Sequence, residues 1–452
     1  MHYDRLMVSA DFKINKEKDY VLYWMQQSQR IDYNYALSEA IKIANTIHKP
    51  LKVVFVLTPS FKEANLRHYT FMLEGLYALV SKMNALNIDF VMEMGAFEEV
   101  LTPLMKEACA FILDKSYLAP LRTLKSEVMR VAKALKLYTV MVDADLIVPV
   151  EKTSQKCEYG ARTIRGKLLK VVDDYLDECP IERVLHAGEF SSSLFEQPIE
   201  ATLALLKCDE HIKKSPFFKG GYDEALNRLN HFIENALIHY PESNDPSKNY
   251  TSTLSPYLHF GQISAVEVYL SVHAKLDQFP VAVENYLEQL LVRRELAYNY
   301  VYYCDGYDQF ETMTDAWAYE TMKIHIEDKR EYVYTKDDYI QFKTHDVYFN
   351  AAMKEMVKTG FMHNYMRMYW GKKIIEWSPD YKTAYETILS LNNAYFIDGR
   401  DPNSYAGVAW CFGKHDRAWQ TNAVFGKLRY MNSNGLKRKF DIASYVLEMD
   451  KL

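Results

Sequence analysis

Over the first third of the chain, apolar residues come in short runs separated by amphipathic stretches. The runs at 20–25, 51–57, 88–92, 110–113 and 138–142 predict five strands. Between them, 33–48, 61–86, 96–108 and 118–136 carry apolar residues three and four apart, the spacing of one helix face. Strand and helix in alternation predict a doubly wound α/β domain over 1–146 with a mostly parallel five-stranded sheet. Residues 147–220 read as a connector: Pro149 follows the last run, 159–176 reads as a helix, and Ser191 to Ser193 and Ser215-Pro216 mark loops. Beyond Gly220-Gly221 the period is helical, in 222–240, 264–276, 281–303, 349–358, 361–377 and 382–391, which predicts an all-α domain over 221–452.

Composition narrows the class. The 452 residues suit two or three domains, and 49% hydrophobic with 25% charged is an ordinary globular balance. No apolar run approaches the ~18 residues of a membrane span, and the first twenty residues mix charges of both signs, so a soluble, intracellular, monomeric protein is expected. Six scattered cysteines without a CxxC pair predict reduced thiols and no metal knuckle. A nucleotide fold is tempting, but the first 150 residues hold only Gly75 and Gly95, so neither GxGxxG nor a P-loop can be built there. Eleven of the sixteen glycines lie from Gly220 onward, where close approach of a ligand is easier. The net charge of −6 argues against a nucleic-acid partner on average.

The candidate chemistry sits in the helical half. YTSTLSPYLHFG at 250–261 places four hydroxyls before Pro256 at a helix start, a setting for phosphate or simply a capped helix. VRRELAYNYVYY at 292–303 puts Arg293, Arg294 and Glu295 in an aromatic helix; Glu295 and Asn299 share a face, either a pocket wall or a solvated one. In 361–377, Trp370 and Trp377 lie two turns apart, roughly 10 Å along the axis, which suits stepwise electron transfer and two core side chains equally. The loop Asp398-Gly-Arg-Asp-Pro-Asn403 is dense in turn formers, and its Asp398 and Asp401 lack a third partner for a metal. From 410 to 440, seven lysines and arginines face a single carboxylate, Asp416, with Trp410, Phe412, Trp419, Phe425 and Tyr430 between them. Cations with flat rings suit a nucleic-acid groove, against the alternative of a solvated basic tail.

Together the segments VLYWMQQSQR (21–30), LSPYLHFGQIS (254–264), MRMYWGKK (366–373), DGRDPNSYAGVAWCFGKHDRAW (398–419) and GKLRYMN (426–432) resemble the photolyase–cryptochrome superfamily, specifically the class II cyclobutane pyrimidine dimer photolyases. The resemblance implies an α/β domain able to carry an antenna chromophore of unknown identity, and a helical FAD-binding domain. It implies a light-driven reaction in which reduced FAD gives an electron to a pyrimidine dimer flipped out of damaged DNA, the base flipping being a known photolyase property. It assigns Tyr240, Ser252, Thr253, Leu254 and Ser255 to the FAD phosphates, Arg367 and Asp398 to an ion pair beside the ring system, and Asn299, Gly399 and Asn403 to the cofactor. Asn392 matches the residue facing flavin N5. Glu295 is assigned to the dimer, with Met368 and Trp410 lining its pocket, and Lys414, Arg417, Lys427 and Arg429 to DNA. A carboxyl that donates to a pyrimidine carbonyl must be protonated, as burial favours. Trp370 and Trp377 match two of three family tryptophans that relay electrons; Phe349 stands at the third position and should impair that relay. The alternatives are an FAD photoreceptor without repair and a DNA-binding flavoprotein that lost activity.

Overall fold

The computed structural model describes residues 2–9, 12–59 and 61–452. The five apolar runs are five parallel strands: β2 (Tyr20–Trp24), β3 (Leu51–Leu57), β4 (Ile88–Met94), β5 (Ala108–Asp114) and β6 (Thr139–Val142). The sheet nevertheless has six strands. A short β1 (Leu6–Val8) pairs antiparallel with β6, Leu6 opposite Val142, and gives the order β1-β6-β5-β2-β3-β4. Its three residues are half or fully exposed, so they carry no apolar alternation for a sequence reading to detect.

Helices α1 (Tyr35–Ile47), α2 (Leu66–Ala85), α3 (Phe97–Glu107) and α4 (Ala119–Ala134) make the crossovers. Both sheet faces are covered, as parallel sheets require: Val21, Tyr23, Val53 and Ile112 belong to one core, and Leu22, Trp24, Val54 and Leu113 to another. The first core continues without a break through the connector into the helical half, where Leu254, Tyr257, Val283 and Leu291 join it.

Two long helical stretches are interrupted, and both interruptions precede candidate residues. The stretch 222–240 is an α-helix to His231, a π turn Phe232–Ala236 and a 3-10 run Leu237–Glu242 that carries Tyr240. The stretch 281–303 is Pro280–Leu287, a π turn Glu288–Arg293 and then the helix α6 (Arg294–Tyr303); a short α5 (Ser255–His259) lies upstream. π turns inside helices commonly mark functional positions because they rotate the following side chains off the original face. The last four helices of interest are α7 (Val347–Thr359), α8 (Asn364–Trp377), α9 (Tyr381–Tyr395) and α10 (Pro402–Cys411).

The α/β and helical halves meet closely at Gly261. It sits at φ +63°, and a Cβ there would lie 1.7 Å from the Gln27 carbonyl oxygen, so no other residue fits. The buried Arg30 guanidinium ties the same junction, donating to the carbonyls of Gly261 and Ala144. The expectation of six reduced thiols is corrected: Cys157 and Cys304 form a disulfide, their Cα atoms 6.0 Å apart, because the fold brings together residues 147 positions apart.

Candidate active site

The hydroxyl-rich segment before α5 forms one wall with partners from far along the chain. Thr253 adopts φ +53° and accepts from Arg228 Nη1 at 3.2 Å, while Ser252 Oγ accepts from Tyr286 OH at 3.2 Å. Tyr286 meets Tyr240 edge to face at 5.1 Å. Leu254 is buried beneath the wall and Ser255 is exposed. A guanidinium beside two hydroxyls suits a phosphate, and Arg228 is a residue the sequence did not single out. His363, which caps α8, donates from Nε2 to the Ser243 carbonyl at 2.8 Å and so ties this wall to the helix bearing Arg367.

Arg367 Nη2 donates to Asp398 Oδ2 at 3.1 Å, Nε donates to the Met362 carbonyl, and the guanidinium lies 3.9 Å from the Phe396 ring centroid. The other Asp398 oxygen, Oδ1, is buried and has no partner. A buried carboxylate oxygen left without a donor costs on the order of 1–3 kcal/mol, so this atom is set for a donor brought by a ligand. Gly399 follows because three carbonyl oxygens, those of Asn392, Asn393 and Phe396, lie within 2.9 Å of where a Cβ would be. That close turn holds Asn392 beside Asp398. The Asn392 amide donates to Asn393 Oδ1 at 3.1 Å. Asp401 caps α10 and accepts from both the backbone N–H and the side-chain amide of Asn403, an otherwise exposed residue.

Glu295 and Asn299 share a face, as their spacing predicts, but that face is occupied by the connector. Glu295 Oε1 accepts the N–H of Ile147 at 2.7 Å, and both carboxyl oxygens lie 3.3 Å from the N–H of Val148. Asn299, fully buried, accepts from the Glu158 N–H at 2.7 Å and donates to the Lys156 carbonyl at 3.0 Å. One of its two amide N–H groups and one oxygen lone pair are thus engaged by backbone. Burial pushes the Glu295 carboxyl up to about 8, against the opposing pull of Arg294 and the two N–H groups.

Trp370 and Trp377 are both 2% exposed. Trp370 donates Nε1 to Met353 Sδ and meets Phe396 edge to face, while Trp377 packs against Phe349, ring centroids 5.1 Å apart. Phe349 is fully buried. Tyr334 meets Trp377 edge to face at 5.4 Å and Tyr339 lies 5.2 Å from Phe349; of the tyrosines adjacent in sequence, Tyr369 is buried with its hydroxyl on Asp346 and Tyr348 is half-buried under Lys437.

Trp410 belongs to a column of alternating cations and rings. Lys372 Nζ stands 5.4 Å from its centroid and the Arg429 guanidinium 4.9 Å; Arg429 is also 4.4 Å from Trp419, and Arg417 is 4.8 Å from Trp419. Asp416 ties the column by pairing with Arg429 and accepting from Trp419 Nε1. Arg417 and Lys427 are exposed. Lys414 is not: it is buried and paired with Asp315 at 2.8 Å, so the expectation that it meets DNA phosphates is corrected. Met368 is half-buried at the rim of the core that also packs Trp410.

A second concavity lies between the sheet and the helical half. This cavity, about 990 Å³ with its open mouth, sits at the carboxyl ends of β2 and β3, where doubly wound sheets place ligands. Gln26 and Gln29 line it with buried Oε1 atoms that have no partner, and Arg400, Asp401 and Pro402 form part of the opposite wall. Among the described residues, no cluster of three or more His, Cys, Asp or Glu could hold a metal, and no helix is long and apolar enough to cross a membrane.

An α/β domain and a helical domain with an anion-ready wall, a buried Arg–Asp pair and a cation–ring column define a protein built to hold a ligand in its helical half. Residues 21–183 match the DNA photolyase family model. The chain is 44% identical to the deoxyribodipyrimidine photo-lyase of Methanothermobacter thermautotrophicus over 430 residues, 94% of either chain. Its fold resembles a class III photolyase from Agrobacterium tumefaciens, with TM-score 0.76, 17% identity and coverage of 98% of this chain and 88% of the other. It also resembles an archaeal photolyase from Sulfolobus tokodaii described with two FAD molecules, with TM-score 0.68, 15% identity and coverage of 95% and 89%. The chain belongs to the DNA photolyase family.

Proposed function

We propose that the protein repairs cyclobutane pyrimidine dimers in DNA under light, with FAD in the helical half. The observation that carries this reading is the unpartnered Asp398 Oδ1 beside Arg367, in a chain aligned nearly end to end with a deoxyribodipyrimidine photo-lyase. The residues fit the cofactor. Arg228, Ser252 and Thr253 would hold its diphosphate, Asp398 would accept a ring N–H, and Asn392 would face the ring from the Gly399 turn. Bound FAD supplies light absorption and the electron that opens the cyclobutane ring.

The chain's own residues do the rest. Arg367 holds Asp398 oriented. Trp410, backed by Lys372 and Arg429, offers a rigid face to an extruded base, and Arg417 and Lys427 meet phosphates. In Glu295 the N–H groups of Ile147 and Val148 hold the carboxyl in place and its raised pKa keeps a proton on it at neutral pH; that proton would serve a dimer carbonyl once the substrate parts the connector from this face. The cavity lined by Gln26 and Gln29 suits a second chromophore presenting N–H or O–H donors.

Illumination of dimer-containing DNA with the reduced protein tests the reading; absence of dimer loss with flavin present favours the photoreceptor alternative. Repair by the wild type should fall as pH rises through about 8, and Glu295→Gln should remove that limb because its amide donates at every pH. The sign for stability is the same: the contribution of this group is full below its ordinary 4.5 and is lost as pH rises through about 8. A wild-type profile that stays level across this range removes Glu295 from dimer recognition.

Phe349 separates the reading of repair from that of photoreduction. A phenyl ring is far harder to oxidise than an indole, and Phe349 packs directly on Trp377. Blue-light reduction of the oxidised protein with external thiol should be faster in Phe349→Trp than in the wild type, while repair by chemically reduced protein is the same in both. Equal photoreduction rates would show that another ring, such as Tyr369 on Asp346, already completes the route.

A further inference from the structure

Helix α6 laces the interdomain chain along its own length. Arg294 Nη2 donates to Asp145 Oδ1 at 2.7 Å, and Glu295 takes the N–H groups of Ile147 and Val148. Tyr302 OH donates to Glu151 Oε1 at 2.6 Å, Tyr303 OH to the Ser154 carbonyl at 2.7 Å, and Asn299 clamps the backbone at Lys156 and Glu158. The last tie is covalent: Cys304, the first residue past the helix, is bonded to Cys157, which lies between the two residues that Asn299 clamps. The hydrogen bonds hold whatever the redox state, and the covalent tie exists only when two electrons have been removed.

We propose that Cys157 and Cys304 form a reversible dithiol–disulfide modification site that sets how tightly the connector is held to α6. Both residues are half-buried, so a small thiol or disulfide reaches them; of the other four, Cys208 is also half-buried but has no partner cysteine, and Cys109, Cys179 and Cys411 are buried and unpaired. The oxidant is a low-molecular-weight disulfide of the glutathione class. One protein thiolate attacks a sulfur of the small disulfide and releases one small thiol; the second protein thiol, losing its proton, displaces the other. Two protein thiols thus lose two electrons and two protons, and the small disulfide leaves as two thiols. Opening the bond frees the loop at 155–158, which then rests on the Asn299 clamp and on Glu158, paired with Lys167 and Ser154. This reading goes beyond the repair reaction and holds in the dark.

The test uses the full-length protein equilibrated in the dark with excess oxidised or reduced glutathione. Thiol titration after denaturation should count four free thiols in the oxidised sample and six in the reduced one. Cleavage by a lysine-specific protease after the exposed Lys156 should be about tenfold slower in the oxidised protein, because local opening of the loop is restrained. Cys157→Ser should cleave at the faster rate in both buffers, and Cys304→Ser gives the same readout should the first variant fold poorly. Six thiols in both samples, a glutathione adduct on either cysteine in place of the internal bond, or equal cleavage rates would each overturn the proposal.

Discussion

Asp398→Ala will purify with little flavin. The substitution removes both the acceptor oriented at the ligand and the partner of Arg367, whose side chain is only 20% exposed. Losing a charge-assisted contact of this kind costs about 3 kcal/mol, or roughly 100-fold in affinity. It also strands a largely buried guanidinium, which adds a stability loss toward the lower end of about 3–5 kcal/mol. Flavin absorbance per protein, together with thermal unfolding of the flavin-free forms, separates the two effects. Asp398→Asn keeps the shape and an acceptor oxygen without the charge, so it should fall between wild type and Ala. A full complement of flavin in Asp398→Ala would mean that the Arg367–Asp398 pair serves packing alone.

Trp410→Ala should slow dimer repair by about 10- to 100-fold, the range of one lost base–ring stacking contact. Lys372 makes the position sensitive. Its ammonium is fully buried, is bonded to the Cys411 carbonyl, and burial pulls its pKa down to about 8. Without the indole above it, that cation loses a favourable quadrupole, and Arg429 loses the surface that flattens it. Binding to undamaged duplex depends on Arg417 and Lys427 and should change little. Repair kinetics measured beside salt-dependent DNA binding distinguish the cases, and undiminished repair would take Trp410 out of the substrate pocket.

The parallel strands were legible because each is buried on both faces and therefore reads as an unbroken apolar run. β1 was not, because an exposed edge strand three residues long is held by pairing with β6 and not by its own side chains. In the helical half, the loop bearing Asp398 stood out by composition, whereas Arg367 was assigned by the family resemblance alone, and the turn at Gly399 explains why a glycine follows the aspartate. Arg228 was invisible because nothing local marks it; it meets Thr253 only after the chain has turned through a π and a 3-10 segment. Lys414 failed for the opposite reason. It stands in a run of cations, and its partner Asp315 is 99 residues upstream, beyond any window of local charge. Glu295 and Asn299 were placed correctly on one helix face, but what covers that face, the connector, follows from tertiary packing alone.

The short loop from Asp398 to Pro402 presents Asp398 to the Arg367 side and Arg400, Asp401 and Pro402 to the cavity beneath the sheet. It stands between the proposed flavin site and this cavity. Thermodynamics then makes the two answerable to each other: whatever factor an occupant of one imposes on affinity in the other is returned in equal measure in the reverse direction. A titration of either is therefore also a measurement on its neighbour, and affinities for the two ligands have meaning only when the filling of both is stated.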